Sequence, residues 1–167
     1  MSINVQQFYE LVICPTLEAM GQVRPIFDSE VARKLLLVTF CHESDAGTYL
    51  KQVKGPALGV YQMEPDTERW IWDVLFKPKN KDILDVIECD YGSGRPPSII
   101  MISDLRYATI MCRLRYWLAP APLPPTADLK GLVDYWAKYY QTQNDDLKKQ
   151  ECVNDVRKYA GQYFSMK

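Results

Sequence analysis

One run of this chain leaves the fold little freedom. From Leu35-Leu36-Leu37-Val38 to Phe40-Cys41, the second half of a helix that also carries Val31, the residues are apolar on nearly every side of a helical wheel. A helix of that kind cannot keep one side in water, so it has to be central, with the rest of the chain wrapped around it. Asp28 or Ser29 is placed to cap its start, and Glu30 sits favourably in the first turn. Its polar residues gather at the far end, at His42, Glu43 and Ser44.

The remaining segments read as shorter helices around this one. Phe8, Leu11, Val12 and Ile13 give an N-terminal helix an apolar side before Pro15 interrupts it. Asp66 or Thr67 caps a helix carrying Trp70, Ile71, Val74 and Leu75, and Lys77–Lys81 ends it. A short helix over Asp82–Cys89 comes next. Tyr107, Ile110, Met111, Leu114, Trp117 and Leu118 fall at helical spacing, which predicts a helix from Ser103 to Leu118. The proline-rich Leu118–Pro125 must be extended and acts as a stiff connector. Leu129, Leu132, Val133, Trp136 and Tyr140 mark a further amphipathic helix.

Between Asp45 and Met63 the pattern breaks. Gly47, Gly55, Pro56 and Gly59 argue for turns, with short extended pieces near Tyr49–Val53 and Leu58–Met63. The expected class is therefore α+β, mostly helical, with a small β or irregular element after the central helix. One domain is expected over residues 1–143. Residues 144–167 read as a C-terminal amphipathic helix packed on the domain or on a partner.

Bulk properties exclude several function classes. At 167 residues the chain is the size of one domain. A formal net charge of −1 gives no electrostatic case for nucleic acid or an anionic membrane surface. No long uncharged apolar segment is present, so no membrane span is expected. The N-terminus lacks the basic start and apolar stretch of a secretion signal, so synthesis in a cytoplasm without a signal peptide is expected. The five cysteines are scattered and form no C-x-x-C pair, as reduced core thiols do. No metal site is expected, because His42 is the sole histidine and no second well-spaced ligand accompanies it. No cofactor is expected either.

Glu43 is the residue that points to chemistry. A carboxyl placed between an apolar helix end and a turn bearing Gly59 and Gln62 is the arrangement a general acid needs. Burial penalises the anion, raises the pKa and keeps a proton available near neutrality. A lone glutamate at a helix end is otherwise an ordinary solvated or paired residue.

The pair Glu43-Ser44, followed by Gly59-Val60-Tyr61-Gln62-Met63-Glu64-Pro65-Asp66-Thr67, resembles the soluble lytic transglycosylase family. That family is related in fold to goose-type lysozyme. Its pattern is a Glu-Ser pair closing a helix and, downstream, Gly-x-x-Gln-x-x-Pro-x-Thr, which Gly59, Gln62, Pro65 and Thr67 match. The resemblance covers Asp28–Thr67, with a continuation to Thr142. Two later elements depart from the family. Tyr139-Tyr140-Gln141-Thr142 stands where Tyr-Asn-x-Gly is usual, and Ala108 stands where a glycine is usual.

The resemblance implies a lysozyme-like domain that cleaves the β-1,4 bond between N-acetylmuramic acid and N-acetylglucosamine in peptidoglycan. Glu43 is then the acid/base, and Ser44, Gln62 and Tyr140 are cleft residues. Gly59 would let the backbone pass close to a sugar or to the Glu43 helix end. Gln62 offers both a donor and an acceptor to an N-acetyl or hydroxyl group. Tyr61 would stack on a sugar face; Trp70 and Trp72 are rivals for that role, with core packing expected of Trp70. Asp45, Glu64 and Asp66 are nearby carboxylates able to position water, though a helix cap is the simpler reading of Asp66. His42 points away from Glu43 and reads as structural.

The general look is that of a bacteriophage product. Its partners would be peptidoglycan glycan strands and other virion proteins, and it would reach the cell wall in the particle or through holin pores. The alternative is a virion structural or assembly protein that keeps the fold without catalysis.

Overall fold

The computed structural model describes residues 1–142 and 144–165; Gln143, Met166 and Lys167 lie outside the described residues. The chain begins with a helix that does not stop at its proline. Asn4 caps α1 (Val5–Phe8), its Oδ1 accepting the Gln7 N–H at 3.0 Å. A π-helical turn over Tyr9–Ile13 leads directly into α2 (Cys14–Val23), which carries Pro15 in its first turn. The wide turn ahead of Pro15 accommodates the ring and the missing N–H, so the expected interruption does not occur. It also resets the apolar face. Phe8 and Ile13, five residues apart, are both buried, whereas Leu11 is 68% exposed.

Of the two candidate caps for α3 (Glu30–Glu43), Ser29 is used. Its Oγ accepts the Ala32 N–H at 3.0 Å. Asp28 instead takes two hydrogen bonds from the Arg33 guanidinium, both 2.7 Å. Residues 35–41 of α3 are fully buried. The one hydroxyl among them, on Thr39, donates to the Leu35 carbonyl and meets Tyr116 Oη at 2.6 Å.

After α3 the chain runs through turns held by two isolated antiparallel bridges, Lys51 with Leu58 and Leu58 with Met63. Among the described residues no strand forms: the mostly helical layout is as expected, and the β part of the expected α+β class reduces to these two bridges. Gly55, Pro56 and Gly59 cut the extended pieces too short to pair beyond single bridges.

α4 (Pro65–Leu75) starts with Pro65 in its first turn and no side-chain cap. It places Ile71, Trp72 and Leu75 against α5 (Lys81–Tyr91) and the short α6 (Ile100–Ser103) in a core that also holds Met20 and Phe27. α7 (Leu105–Trp117) joins this core to the one around α3. Its Tyr107, Ile110, Met111 and Leu114 face the α4 side, and its Ala108, Cys112 and Tyr116 face α3. Two central helices therefore exist where the hydrophobic pattern announced one.

A proline-rich link, gripped where Tyr135 Oη donates to the Ala121 carbonyl at 2.8 Å, leads to α8 (Leu129–Trp136). The helix continues as a π-helical turn over Ala137–Gln141 and ends at Thr142, whose φ is 61°. α9 (Asp146–Ala160) closes the fold. Cys152, Val156 and Ala160 are fully buried in the same cluster as Leu36 and Phe40, so this helix belongs to the core. No helix of the described residues is long and apolar enough to cross a membrane.

Candidate active site

The C-terminal end of α3 sets Glu43 at the edge of the core, with one side open. Trp136, fully buried on α8, donates its indole N–H to Glu43 Oε1 at 2.8 Å. The indole is itself held by His42, whose ring meets it edge-on at 4.8 Å. His42 Nδ1 lies 2.6 Å from Asp155 Oδ2 on α9. The histidine thus points away from its neighbour Glu43 and braces the indole that contacts it.

The open side of Glu43 faces a cleft of about 470 Å³. Its walls include Gln62, Glu64, Thr67, Arg115, Tyr140 and Gln141. Burial pushes the Glu43 carboxyl up from 4.5 to about 7; the Trp136 hydrogen bond and the charges of Lys148 and Arg115 pull the other way. Near neutral pH the group is therefore divided between acid and carboxylate, the condition that best suits a residue that must give and then take a proton.

Tyr140 reaches the cleft from the π-helical turn after α8. Its hydroxyl donates to the Tyr61 carbonyl at 2.7 Å, and its ring lies under the Arg115 guanidinium, 5.3 Å from Cζ to the ring centre. Gln62 has a φ of 48°, a left-handed backbone that costs a non-glycine residue roughly 1 kcal/mol. Its side-chain amide offsets this by donating to the carbonyls of Gly59 at 2.9 Å and Tyr49 at 3.2 Å. Those bonds use the amide hydrogens, so the Gln62 side-chain oxygen is the group left for the cleft.

The other motif residues serve the fold. Ser44 is fully buried and does not line the cleft; its Oγ donates to the Phe40 carbonyl and accepts the Gly47 N–H, closing α3. Tyr61 is 1% exposed, with its hydroxyl 3.1 Å from Thr109 Oγ1. It cannot stack on a sugar; it contributes only the carbonyl that fixes Tyr140. Gly59 has a φ of 75°, and a Cβ there would lie 2.2 Å from the Met101 carbonyl oxygen. The close approach that needs a glycine is to α6, not to a ligand or to Glu43.

The three candidate second carboxylates separate in space. Glu64 lines the cleft. Asp45 accepts the Tyr159 hydroxyl on the α9 side, and Asp66 pairs with Arg69 at 2.8 Å. The tryptophans exchange their expected places. Trp70 is 45% exposed, while Trp72 is fully buried and donates to Tyr107 Oη.

Two residues of the site, Trp136 behind Glu43 and Arg115 on the cleft wall, were not singled out by the sequence as part of a site. Trp136 has the spacing of a core residue, and Arg115 interrupts an apolar helix without any motif around it. A third unheralded group, Glu68, is fully buried under Arg95, Ser98 and Tyr107 and builds the α4 core. Among the described residues no cluster of three or more His, Cys, Asp or Glu side chains could hold a metal ion. No family model matches the chain, and neither a curated protein nor a solved structure is significantly similar to it.

Proposed function

We propose that this cleft cleaves the β-1,4 glycosidic bond between N-acetylmuramic acid and N-acetylglucosamine in peptidoglycan, with Glu43 as the single acid/base. The observation that carries the reading is the Glu43 carboxyl, held by the Trp136 N–H on one side, open to a polar cleft on the other, and raised to about 7. The resemblance of Glu43-Ser44 and Gly59–Thr67 to the soluble lytic transglycosylases points the same way.

In this chemistry the protonated Glu43 gives its proton to the bridging oxygen as the bond to the muramyl C1 breaks. The indole N–H favours the carboxylate that results. That carboxylate then takes the proton of the muramyl C6 hydroxyl, whose oxygen closes onto C1. The products are a 1,6-anhydromuramyl end and a free N-acetylglucosamine hydroxyl, and Glu43 is protonated again. One carboxyl suffices because the nucleophile belongs to the substrate.

Glu64 on the cleft wall favours a hydrolytic variant, in which a carboxylate orients a water that attacks C1. Mass spectrometry of digested peptidoglycan separates the versions. Anhydro ends support the transglycosylase, and ends heavier by one water support the hydrolase. Undigested peptidoglycan, together with many copies of the protein in a virus particle, would replace both by a structural role. Undiminished cleavage by Glu43→Gln would remove Glu43 from the mechanism.

A further inference from the structure

Arg115 is the one cation on the cleft wall among the described residues. Arg24, Arg33, Arg69, Arg95 and Arg106 each hold a carboxylate of their own. Arg115 holds none among the described residues. Its guanidinium lies over the Tyr140 ring, and a single Nη2 hydrogen bond at 3.3 Å reaches the Tyr140 carbonyl. These two contacts fix the plane of the group and leave most of its five N–H donors without a protein acceptor. The residue is only half-buried, so those donors are within reach of a molecule in the cleft. A fixed planar guanidinium of this kind takes a carboxylate in two parallel hydrogen bonds.

A plain N-acetylglucosamine polymer has no carboxylate to offer. A muramyl residue does, either on its lactyl ether when the stem peptide has been removed or on the stem peptide itself. We infer that Arg115 recognises a carboxylate carried by the muramyl substituent and so makes the cleft selective for peptidoglycan over uncharged chitin-like glycan. This inference rests on the glycan-cleaving reading of the cleft. Arg115 touches substrate in this role, and its anchorage on Tyr140 gives that tyrosine a positioning role as well.

Binding tests this without turnover. Calorimetry would use the full chain carrying Glu43→Gln and three ligands: a peptide-free glycan tetramer with free lactyl carboxylates, a stem-bearing muropeptide dimer, and an N-acetylglucosamine tetramer. At least one acidic ligand should bind tighter than the uncharged tetramer by roughly tenfold to a hundredfold, the range of charge-assisted hydrogen bonds. Adding Arg115→Gln should bring the ligands level. Arg115→Lys, which keeps the charge but not the fork, should restore part of the preference, and it replaces Arg115→Gln if that variant melts early. A preference for the peptide-free glycan identifies the lactyl carboxylate, and a preference confined to the muropeptide identifies the stem. Equal affinity for all three ligands, binding of none, or a preference that survives both substitutions overturns the inference. Cleavage by the wild type separately decides whether the cleft is an enzyme site, so the two failures are distinguishable.

Discussion

Replacing Glu43 by glutamine should stabilise the protein in alkali and leave it nearly unchanged in acid. Glutamine has almost the same shape, and its side-chain oxygen can still accept the Trp136 N–H now found 2.8 Å from Glu43 Oε1. What it removes is ionisation. Burial raises the Glu43 carboxyl from 4.5 to about 7, so the folded state resists a charge that the unfolded chain accepts freely. The sign follows from linkage. The stability associated with the protonated group is fully present below about 4.5 and is lost as the pH climbs through about 7. Above that window the wild type folds with an unfavourable anion and the variant does not. At about 1.4 kcal/mol per tenfold change in proton affinity, the full displacement corresponds to ~3 kcal/mol. The side chain keeps an edge on the cleft, where water screens it, so ~1–2 kcal/mol is the expected difference. For a chain of this size that is a rise of roughly 2–8 °C in Tm. Thermal or urea unfolding of both proteins at pH 4, 6 and 9 measures it, and taking the variant-minus-wild-type difference at each pH cancels every other titrating group. A difference that stays constant from pH 4 to 9 would mean that the carboxyl ionises as easily folded as unfolded.

Two further outcomes follow from the same contacts. Trp136→Phe keeps the ring and deletes the N–H that favours the Glu43 carboxylate, so the alkaline limb of kcat/KM should move to higher pH; a limb that moves to lower pH contradicts the assignment. Gly59→Ala forces a Cβ to within 2.2 Å of the Met101 carbonyl at a φ of 75°. Urea unfolding should show a loss of ~2–4 kcal/mol; a loss under ~1 kcal/mol would mean that α6 yields easily.

Much of the framework was legible because it depends on local rules. Ser29 before an acidic first turn marks the start of α3, and the all-round apolar run from Leu35 to Cys41 announces its burial. Pro15 misled because a proline usually ends a helix, and only the π-helical turn over Tyr9–Ile13, a feature without a sequence signature, lets the chain continue. The extended pieces after Glu43 had the look of strands, but pairing depends on partners, and glycines and a proline limit it to single bridges.

The site divides in the same way. Glu43, Gln62 and Tyr140 line one cleft, whereas Ser44, Gly59 and Tyr61, which come from the same stretches, are spent on a helix end, a close approach to α6 and the core. Residue type and spacing alone do not separate these groups, because a motif position can be fixed by packing as firmly as by a ligand. Trp136 contacts Glu43 across 93 positions of sequence, and no periodicity or motif links residues so far apart. Arg115 is visible as a cleft residue only once the π-helical turn after α8 has brought Tyr140 beneath it.

The claim on which the site stands is that the Glu43 carboxyl still holds a proton at neutral pH. The most direct measurement is an NMR titration of the side-chain carboxyl carbon in protein labelled with carbon-13 glutamate, with the signal assigned by its absence in Glu43→Gln. The expected midpoint lies near 7 and shifts upward in Trp136→Phe. A midpoint in the ordinary range near 4.5 would show a solvated carboxylate with no proton to give, and the cleft would lose its acid.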